Sequence, residues 1–258
     1  MNRRLITLTT DFGHRSGFVG VMKGVILGIA PSAQIVDLSH EVAPHDILEA
    51  QFLIERAEPF FPLGTIHVAV VDPGVGTDRR PILVKAPRCA LVGPDNGLFT
   101  PWFDVAETRL LKRKQFFNQD ISATFHGRDI FAPVAGHLAA GWDPVEMGPL
   151  IDDPVRKNLP RPDFNQGEII GHILYVDDFG NLVTNILAEY LADIKEPVIS
   201  VGKKKIQGIV YTYADASPKK PCALIGSHGR LEVAIPFGNA HKFLGVDKGR
   251  RIKIKPGK

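Results

Sequence analysis

The chain is poor in cysteine and carries almost no net charge. Its 258 residues include two cysteines, and 31 Lys and Arg residues oppose 28 Asp and Glu residues, which leaves a formal net charge of +3. Cys89 and Cys222 are far apart and follow no paired spacing, so neither a disulfide framework nor a zinc cluster is indicated. A reducing cytoplasm is the simplest setting for such a chain.

Long apolar runs are also absent. No stretch approaches the roughly 18 consecutive apolar residues of a membrane span. The amino terminus begins basic, as a signal peptide does, but its apolar stretch is short, interrupted by threonine and closed by Asp11. We interpret it as a buried first strand and expect no membrane anchor.

The small net charge argues against a nucleic-acid partner, because surfaces that follow phosphates concentrate Lys and Arg on one face. Two basic runs, 203–205 and 248–258, are the exceptions. We interpret both as solvated surface, with contact to nucleic acid or to a membrane as the alternative.

Short β-rich runs alternate with segments of helical period in the first half of the chain. This alternation predicts an α/β N-terminal domain with a central sheet that is largely parallel or mixed. Helices are predicted at 17–29, at 46–58 and from about 129 to 140, the last ending at Gly141. The predicted strands are 5–9, 35–38, 65–71, 82–85 and 90–92.

The composition changes near residue 149, where four prolines (149, 154, 160 and 162) interrupt regular structure. We place a boundary there, with the α/β domain over 1–160 and a second domain over 161–258. Short β-branched runs separated by turn residues predict that the second domain is a smaller all-β sandwich or barrel. Its predicted strands are 168–176, 182–186, 198–201, 205–213, 222–225, 230–235 and 251–254.

Acidic residues follow two of the predicted strands. Asp11 follows the first, where a carboxylate can accept hydrogen bonds from paired ribose hydroxyls; a helix cap or a turn is the alternative. Asp72 follows the third strand in a turn whose glycines lack the third glycine of a dinucleotide motif. If Arg79 met Asp72 across this turn, it would orient the carboxylate and make it a weaker base.

His126 is the best candidate for a group that handles protons near neutral pH. A structural role is the alternative, because the chain has nine histidines. Metal binding is not indicated, since the Asp and His residues have no compact ligand spacing. The turn-rich segments 175–185, 226–229 and 238–240 are hairpin turns if each is considered alone.

Five motifs occur together and in order between Leu5 and about Ala240: TTDFG (9–13), VDPGVG (71–76), GPDNG (93–97), FHGRD (125–129) and FGN (179–181), the last followed by Thr184 and Asn185. Together they resemble the S-adenosyl-L-methionine (SAM) hydroxide adenosyltransferase family, the SAM hydrolases, which are related to the fluorinating and chlorinating SAM enzymes. Each motif is modest alone, but their order makes the match specific.

The resemblance implies an N-terminal α/β domain, a C-terminal β-barrel, and cleavage of SAM by water to adenosine and L-methionine, without a cofactor or a metal ion. It implies a homotrimer with each active site between the N-terminal domain of one subunit and the C-terminal domain of its neighbour. Asp72, Arg79 and His126 stand where the family's residues surround the attacking water. The residues matched to substrate contacts are Asp11 for the ribose, Asp177, Phe179, Asn181 and Ser227 for the methionine and adenine portions, and Ala240 for the adenine edge.

The halogenating relatives carry a tyrosine at the position of Asp72 and a serine at that of Gly127. A charged Asp would repel a halide but can accept a hydrogen bond from water, so hydrolysis is favoured. Ser16 replaces the acid that relatives place near the substrate's amino group, and His45 replaces an aromatic residue. A protein that binds SAM or adenosine without turnover and a SAM-dependent halogenase remain the alternatives.

Overall fold

The computed structural model describes residues 4–165 and 167–257 and divides the chain into two compact units at Asn158 and Leu159. The start of the amino-terminal segment, one position of the proline-rich stretch and the end of the basic tail therefore lie outside the described residues. Across the described ranges, no helix is long and apolar enough to cross a bilayer.

The first unit is built on a six-stranded mixed sheet with the strand order β2-β1-β3-β5-β4-β6. The neighbours β2-β1, β1-β3 and β3-β5 are parallel, whereas β4 runs antiparallel to both β5 and β6. The mixed sheet predicted for this half is therefore confirmed. Its strands are β1 (Leu5–Thr10), β2 (Gln34–Ser39), β3 (Thr65–Val70), β4 (Pro81–Lys85), β5 (Cys89–Pro94) and β6 (Glu107–Leu110).

Three helices cover this sheet: α1 (Phe18–Ile29), α2 (Ile47–Ala57) and α3 (Ala132–Ala140). Asp46 caps α2 by accepting a hydrogen bond from the Glu49 amide at 3.1 Å, as Asp does at helix N-termini. A single π-helical turn, Gly127–Phe131, leads into α3, which ends at Gly141 with φ of 107°.

The alternation of side chains along β3 explains the layered core. Ile66, Val68 and Val70 pack with α1 and α3 on one face of the sheet. Ala69 and Val71 pack on the other face with α2. Since successive strand residues point to opposite faces, a strand buried on both sides is largely apolar, and Thr65 and His67 are the buried polar residues of β3.

The second unit is an eight-stranded antiparallel sheet that forms a nearly closed barrel, as predicted. The main path is β11-β10-β14-β8-β9-β13-β12, and β7 pairs with β8. Its elements are β7 (Asp163–Asn165), β8 (Glu168–Val176), β9 (Leu182–Leu187), β10 (Val198–Val201), β11 (Lys204–Gln207), β12 (Cys222–Ile225), β13 (Arg230–Ala234), the short helix α4 (Ala240–Leu244) and β14 (Arg251–Lys255).

Three local predictions were wrong. The strand predicted at 205–213 ends at Gln207, because Gly208 turns the chain with φ of 71°. Strands β6 and β7 were missed, since both are short and polar and form by pairing along β4 and β8. The third helix was predicted from about 129, but its first turn is the π-helical segment.

Candidate active site

Two carboxylates follow the carboxyl ends of neighbouring parallel strands. Asp11 comes directly after β1, and Asp72 lies two residues beyond the end of β3. Thr10 and Val70 are register partners at the ends of these strands. This edge of an open α/β sheet is where ligands commonly bind, because loops diverge there.

Arg79 joins Asp72 to His126. Its Nε donates to Asp72 Oδ1 at 3.1 Å, and its Nη2 forms a short ion pair with Asp72 Oδ2. The same Nη2 lies 2.9 Å from His126 Nδ1. The side chains of Asp72 and Arg79 are only 3% and 7% exposed, so this charge pair is almost fully removed from water. A buried pair of this kind depends on accurate geometry.

One N–H donor of the Arg79 guanidinium is not used by the described residues. Nη1 is buried and has no hydrogen-bond partner among the described residues. The guanidinium carbon lies 5.4 Å from the ring centre of Phe131, which belongs to the π-helical turn. An unsatisfied buried donor is costly, so Nη1 is suited to a ligand oxygen or to a water molecule.

The neutral ring of His126 is held in one tautomer. An arginine can only donate, so His126 Nδ1 must accept and the proton of the neutral ring lies on Nε2. Burial and the charge of Arg79 lower the pKa of His126, against opposing contributions from Asp72 and Asp129. At neutral pH the imidazole is therefore a hydrogen-bond donor through Nε2.

Backbone contacts fix the Asp72 turn. Gly76 has φ of 79°, and a Cβ there would meet the carbonyl oxygen of Ala123 at 2.5 Å, so the turn lies directly against the segment before His126. Asn96 donates from Nδ2 to the carbonyl of Val71 at 2.9 Å. Asp129 accepts from the Ser122 amide at 2.8 Å and thereby shapes the segment that carries His126.

A buried histidine supports the Asp11 loop. Thr10 Oγ1 lies 2.8 Å from His40 Nδ1 and accepts from the Phe12 amide at 3.2 Å. His40 Nε2 lies 3.0 Å from Asp37 Oδ1, and the His40 side chain is fully buried. Burial opposes ionisation of Asp37, but hydrogen bonds from Lys23 and His40 outweigh it and lower the pKa of that carboxyl.

Aromatic contacts bring the Asp11 loop and the His126 segment together. Phe12, Phe18 and Phe125 form a triangle with ring centres 4.9 to 5.9 Å apart. Asp11 Oδ2 accepts from the backbone amide of His45 at 2.9 Å, and His45 has φ of 66°. Ser16 is exposed on the same loop.

In the second unit, Asp177 organises a turn rather than presenting a free carboxylate. Its Oδ1 accepts from the amides of Phe179 at 3.0 Å and Asn181 at 2.8 Å, and its Oδ2 accepts from Asn181 Nδ2 at 3.0 Å. The ring of Phe179 at the tip is 78% exposed. The hairpin turn that the sequence suggested as the alternative for this segment is therefore present in the structure.

The turn that carries Ala240 lies against the Asp177 turn. His241 donates its amide to the carbonyl of Gly180 at 2.9 Å, and a Cβ on Gly180 would collide with Asn239. Ala240 is fully buried at the start of α4.

Ser227 is exposed on a separate turn of the barrel. Beside it, Tyr213 donates to the buried carboxylate of Glu232 at 2.5 Å, and His228 Nε2 lies 3.4 Å from the same carboxylate. Burial and Glu232 raise the pKa of Tyr213, so its hydroxyl remains a donor. These contacts fix the shape of the turn and leave its serine exposed.

Comparisons with known proteins agree with this architecture. A family model described as the SAM hydroxide adenosyltransferase N-terminal domain matches residues 6–148, and the corresponding C-terminal domain matches residues 171–253. The chain belongs to the SAM hydroxide adenosyltransferase family.

Relatives of this family member differ in their named activities. A protein of Salinispora tropica named (R)-S-adenosyl-L-methionine hydrolase is 35% identical over 98% of this chain and 98% of its own. A fluorinase of Actinoplanes is 27% identical over 89% and 90%. The crystal structure of an uncharacterized conserved protein from Thermotoga maritima has a TM-score of 0.91, 36% identity and coverage of 97% and 99%.

Sequence reasoning missed several residues that shape this family member's site. His40 and Phe131 were not among the predicted site residues, although His40 lies two residues beyond the strand predicted at 35–38, which is a usable signal. Asn96 lies in the GPDNG motif, but the motif does not reveal its bond to Val71. Over the described ranges, no group of three or more His, Cys, Asp and Glu residues is arranged to hold a metal ion.

Proposed function

We propose that this chain cleaves SAM with water at the ribose C5′ to give adenosine and L-methionine. The observation that carries the proposal is the contact of Arg79 with both Asp72 and His126, which brings a carboxylate, a guanidinium and an imidazole together. The name of the Salinispora tropica relative supports it, because that protein matches over nearly the whole chain.

In this mechanism a water molecule donates a hydrogen bond to Asp72. Its oxygen accepts a hydrogen bond from His126 Nε2 through one lone pair and attacks C5′ with the other, in line with the departing sulfur. The C–O bond forms as the C–S bond breaks, and the electron pair of the C–S bond neutralises the sulfonium to leave the thioether of methionine. The proton shifts to Asp72 as the C–O bond forms, and the lone pair that this frees accepts from Arg79 Nη1. Because the attacking oxygen becomes acidic as it bonds to carbon, the site requires no strong base.

Positioning and exclusion of bulk water supply most of the acceleration in this proposal. Well-oriented reactants gain up to roughly 7–11 kcal/mol over free collision. The sulfonium charge disappears as the reaction proceeds, so a poorly solvated site favours the transition state. Arg79 stabilises the hydroxide character that develops on the attacking oxygen.

The substrate contacts follow from the family resemblance. Asp11 binds the ribose hydroxyls, Ser227 lies near the methionine carboxylate, and the backbone of Ala240 meets the adenine edge. Asp177, Phe179 and Asn181 contact the methionine and adenine portions. The active protein is proposed to be a homotrimer, in which the N-terminal unit of one subunit and the C-terminal unit of its neighbour each supply their residues. We place it in the cytoplasm and assign it no nucleic-acid or membrane partner.

Hydrolysis is favoured over halogenation at two positions. Asp72 would repel a halide in a site with little water. A Cβ on Gly127 would lie 3.1 to 3.4 Å from Phe125, Met22 and Phe12, so a serine there would force its neighbours to shift. The chain is therefore suited to water as the nucleophile.

The proposal is tested by incubating purified protein with SAM and separating the products by chromatography. Adenosine and methionine in equal amounts are expected. Intact SAM that stays bound would establish a sensor instead, and 5′-halo-adenosine formed in chloride or fluoride would establish a halogenase. Asp72→Asn should lose most turnover; if it retained nearly all, the role assigned to the carboxylate would be wrong.

Two further experiments address the cofactor and the assembly. Activity should survive EDTA, since the proposed chemistry uses no metal; a loss reversed by added metal would contradict this. Light scattering should give the mass of a trimer. Co-refolding of inactive Asp72→Asn subunits with inactive Asn181→Ala subunits should restore activity if each site uses two subunits, and should not if each chain holds a complete site.

A further inference from the structure

A concave site on the C-terminal barrel combines three cations with a hydroxyl. The cavity of about 360 Å³ is lined by Ser200, Gly202, Gly249, Arg250, Arg251 and Lys253. Small-molecule pockets commonly span about 300–1,000 Å³, so this one suits a compact ligand. None of its lining residues belongs to the site proposed for SAM.

The strand register gathers positive charge on the outer face of the barrel. Ser200 of β10 pairs with Lys253 of β14 on one side and with Lys205 of β11 on the other. Paired residues of antiparallel strands point to the same face, with Cβ atoms about 5 Å apart. Ile252 and Ile254 are buried in the barrel core, so Arg251, Lys253 and Lys255 point outward.

In the part of the chain that the structure describes, neither Arg250, Arg251 nor Lys253 forms a salt bridge. The acids beside them are engaged elsewhere: Asp247 lies 2.7 Å from His241, and Glu168 pairs with Lys255. Like charges held close together without partners repel one another, which a bound anion would relieve.

Two glycines keep the cavity open. Gly202 and Gly249 have φ of 58° and 79°, a region that residues with a Cβ rarely adopt. Nothing lies within 4 Å of the position that a Cβ on Gly249 would take. A ligand can thus approach the backbone there, beside the hydroxyl of Ser200.

We propose that this cavity binds a small oligophosphate, with pyrophosphate as its simplest form. Three cations line the cavity, which is more than one phosphate group needs, and arginine matches phosphate oxygens with two parallel hydrogen bonds. The basic run at 248–258, interpreted from the sequence as solvated surface, thus supplies the cations of an anion site. The inference is independent of SAM cleavage.

Isothermal titration calorimetry of the full chain with pyrophosphate tests the proposal. One saturable site is expected, weaker at about 0.5 M than at about 0.05 M salt because partly exposed charges are screened. Lys253→Gln and Arg251→Gln should each weaken binding about tenfold, as the loss of one hydrogen bond between charged groups does. Lys85→Gln, which removes an exposed lysine at the end of β4, is the matched control and should bind like the wild type.

Melting temperatures of the variants separate lost binding from lost folding, and the variants should melt with the wild type because both side chains point outward. The proposal is overturned if pyrophosphate shows no saturable binding, or if Lys253→Gln and Lys85→Gln bind it equally. Tight binding of a single-stranded oligonucleotide without binding of pyrophosphate would also overturn it, in favour of a nucleic-acid surface.

Discussion

The two units present their candidate site residues in different ways. In the first, Asp72, Arg79 and His126 are bonded to one another, and the buried Asp72–Arg79 pair leaves one arginine donor unused. In the second, Asp177 uses both carboxylate oxygens to close its own turn, and Phe179 at the tip is exposed. The first unit therefore holds a network of charged side chains bonded to one another, and the second holds hydrogen-bonded turns.

Because of this contrast, we expect the two units to contribute differently to catalysis. Mutually bonded, poorly solvated charges are sensitive to the loss of any member, because each removal leaves the others unpaired. Turn residues tolerate any replacement that keeps the acceptor. We therefore expect changes in the first unit to lower kcat and changes in the second to raise KM, and the following predictions test this difference.

The largest effect is expected for Arg79→Lys. A lysine keeps the charge but cannot reach both oxygens of Asp72 and also His126, since it lacks the planar fork of arginine. The turnover number should fall about 10²–10³-fold, the usual cost of one lost donor to a developing oxyanion. The rate of adenosine release measures this turnover number. Arg88→Lys, at a surface pair with Glu58, should change the rate little, and equal losses in both variants would refute the argument.

Substitutions of His126 should have the next largest effect. Asn places an acceptor near the position of Nδ1 but removes the Nε2 donor, whereas Gln keeps an amide near Nε2. We expect a loss of about 10²-fold in kcat for His126→Asn and a smaller loss for His126→Gln, within the range of proton-handling groups. Equal losses would show that the Nε2 proton has no special role.

The pH profile of the wild type checks the same residue. The pKa of His126 is lowered from its ordinary value of 6.5, so the neutral form is already present at pH 7. Turnover should be level above pH 7 and decline as the pH falls through the lowered pKa. A decline that begins above pH 7 would contradict this.

Acid should destabilise the first unit through His67, a buried residue of β3. Burial lowers the pKa of His67 to about 4 in the folded unit, against 6.5 in the unfolded chain. The unfolded state therefore binds the proton first, and stability is complete above pH 6.5 and is lost as the pH falls toward 4. Between pH 7 and pH 5 the loss is about 2 kcal/mol.

Urea unfolding followed by tryptophan fluorescence measures this loss, because Trp102 and Trp142 both belong to the first unit. His67→Asn can keep the hydrogen bond that His67 Nδ1 makes with Thr7, and it removes the titration. The variant should lose less stability between pH 7 and pH 5 than the wild type. An unchanged pH dependence would show that other groups cause it.

The smallest effect is expected in the turn of the second unit. Asp177→Asn keeps the Oδ1 acceptor for two backbone amides but removes the charge. Its melting temperature should fall less than that of Asp177→Ala, because only the bond from Asn181 Nδ2 to Oδ2 is lost, while KM for SAM rises several-fold and kcat is unchanged. Asp177→Ala should also lower the melting temperature, since each lost hydrogen bond costs about 1 kcal/mol. A fall in kcat for Asp177→Asn would contradict the expected kinetic difference between the units.

Local patterns in the sequence predicted most of the fold. The apolar runs at β1 and β3 and the helical periods of α1 and α2 lie within windows of a few residues, and each pattern matched its element closely. The short polar strands β6 and β7 were not predicted, because they are defined by the strands with which they pair. The family motifs likewise lie in short continuous segments, so the amino-acid order alone is enough to indicate the family.

The sequence alone could identify Asp72, Arg79 and His126 as candidate site residues, but it could not show that their side chains are in contact. Arg79 and His126 are 47 positions apart, and their contact depends on the Asp72 turn lying against the carbonyl of Ala123. The burial of His40 under the Asp11 loop is equally a product of packing. The cationic cavity shows the same limit, because sheet register brings Ser200 and Lys253 side by side. Periodicity is encoded locally, whereas the approach of distant segments is decided by how sheets pair and pack; only the tertiary structure could therefore reveal which charges meet.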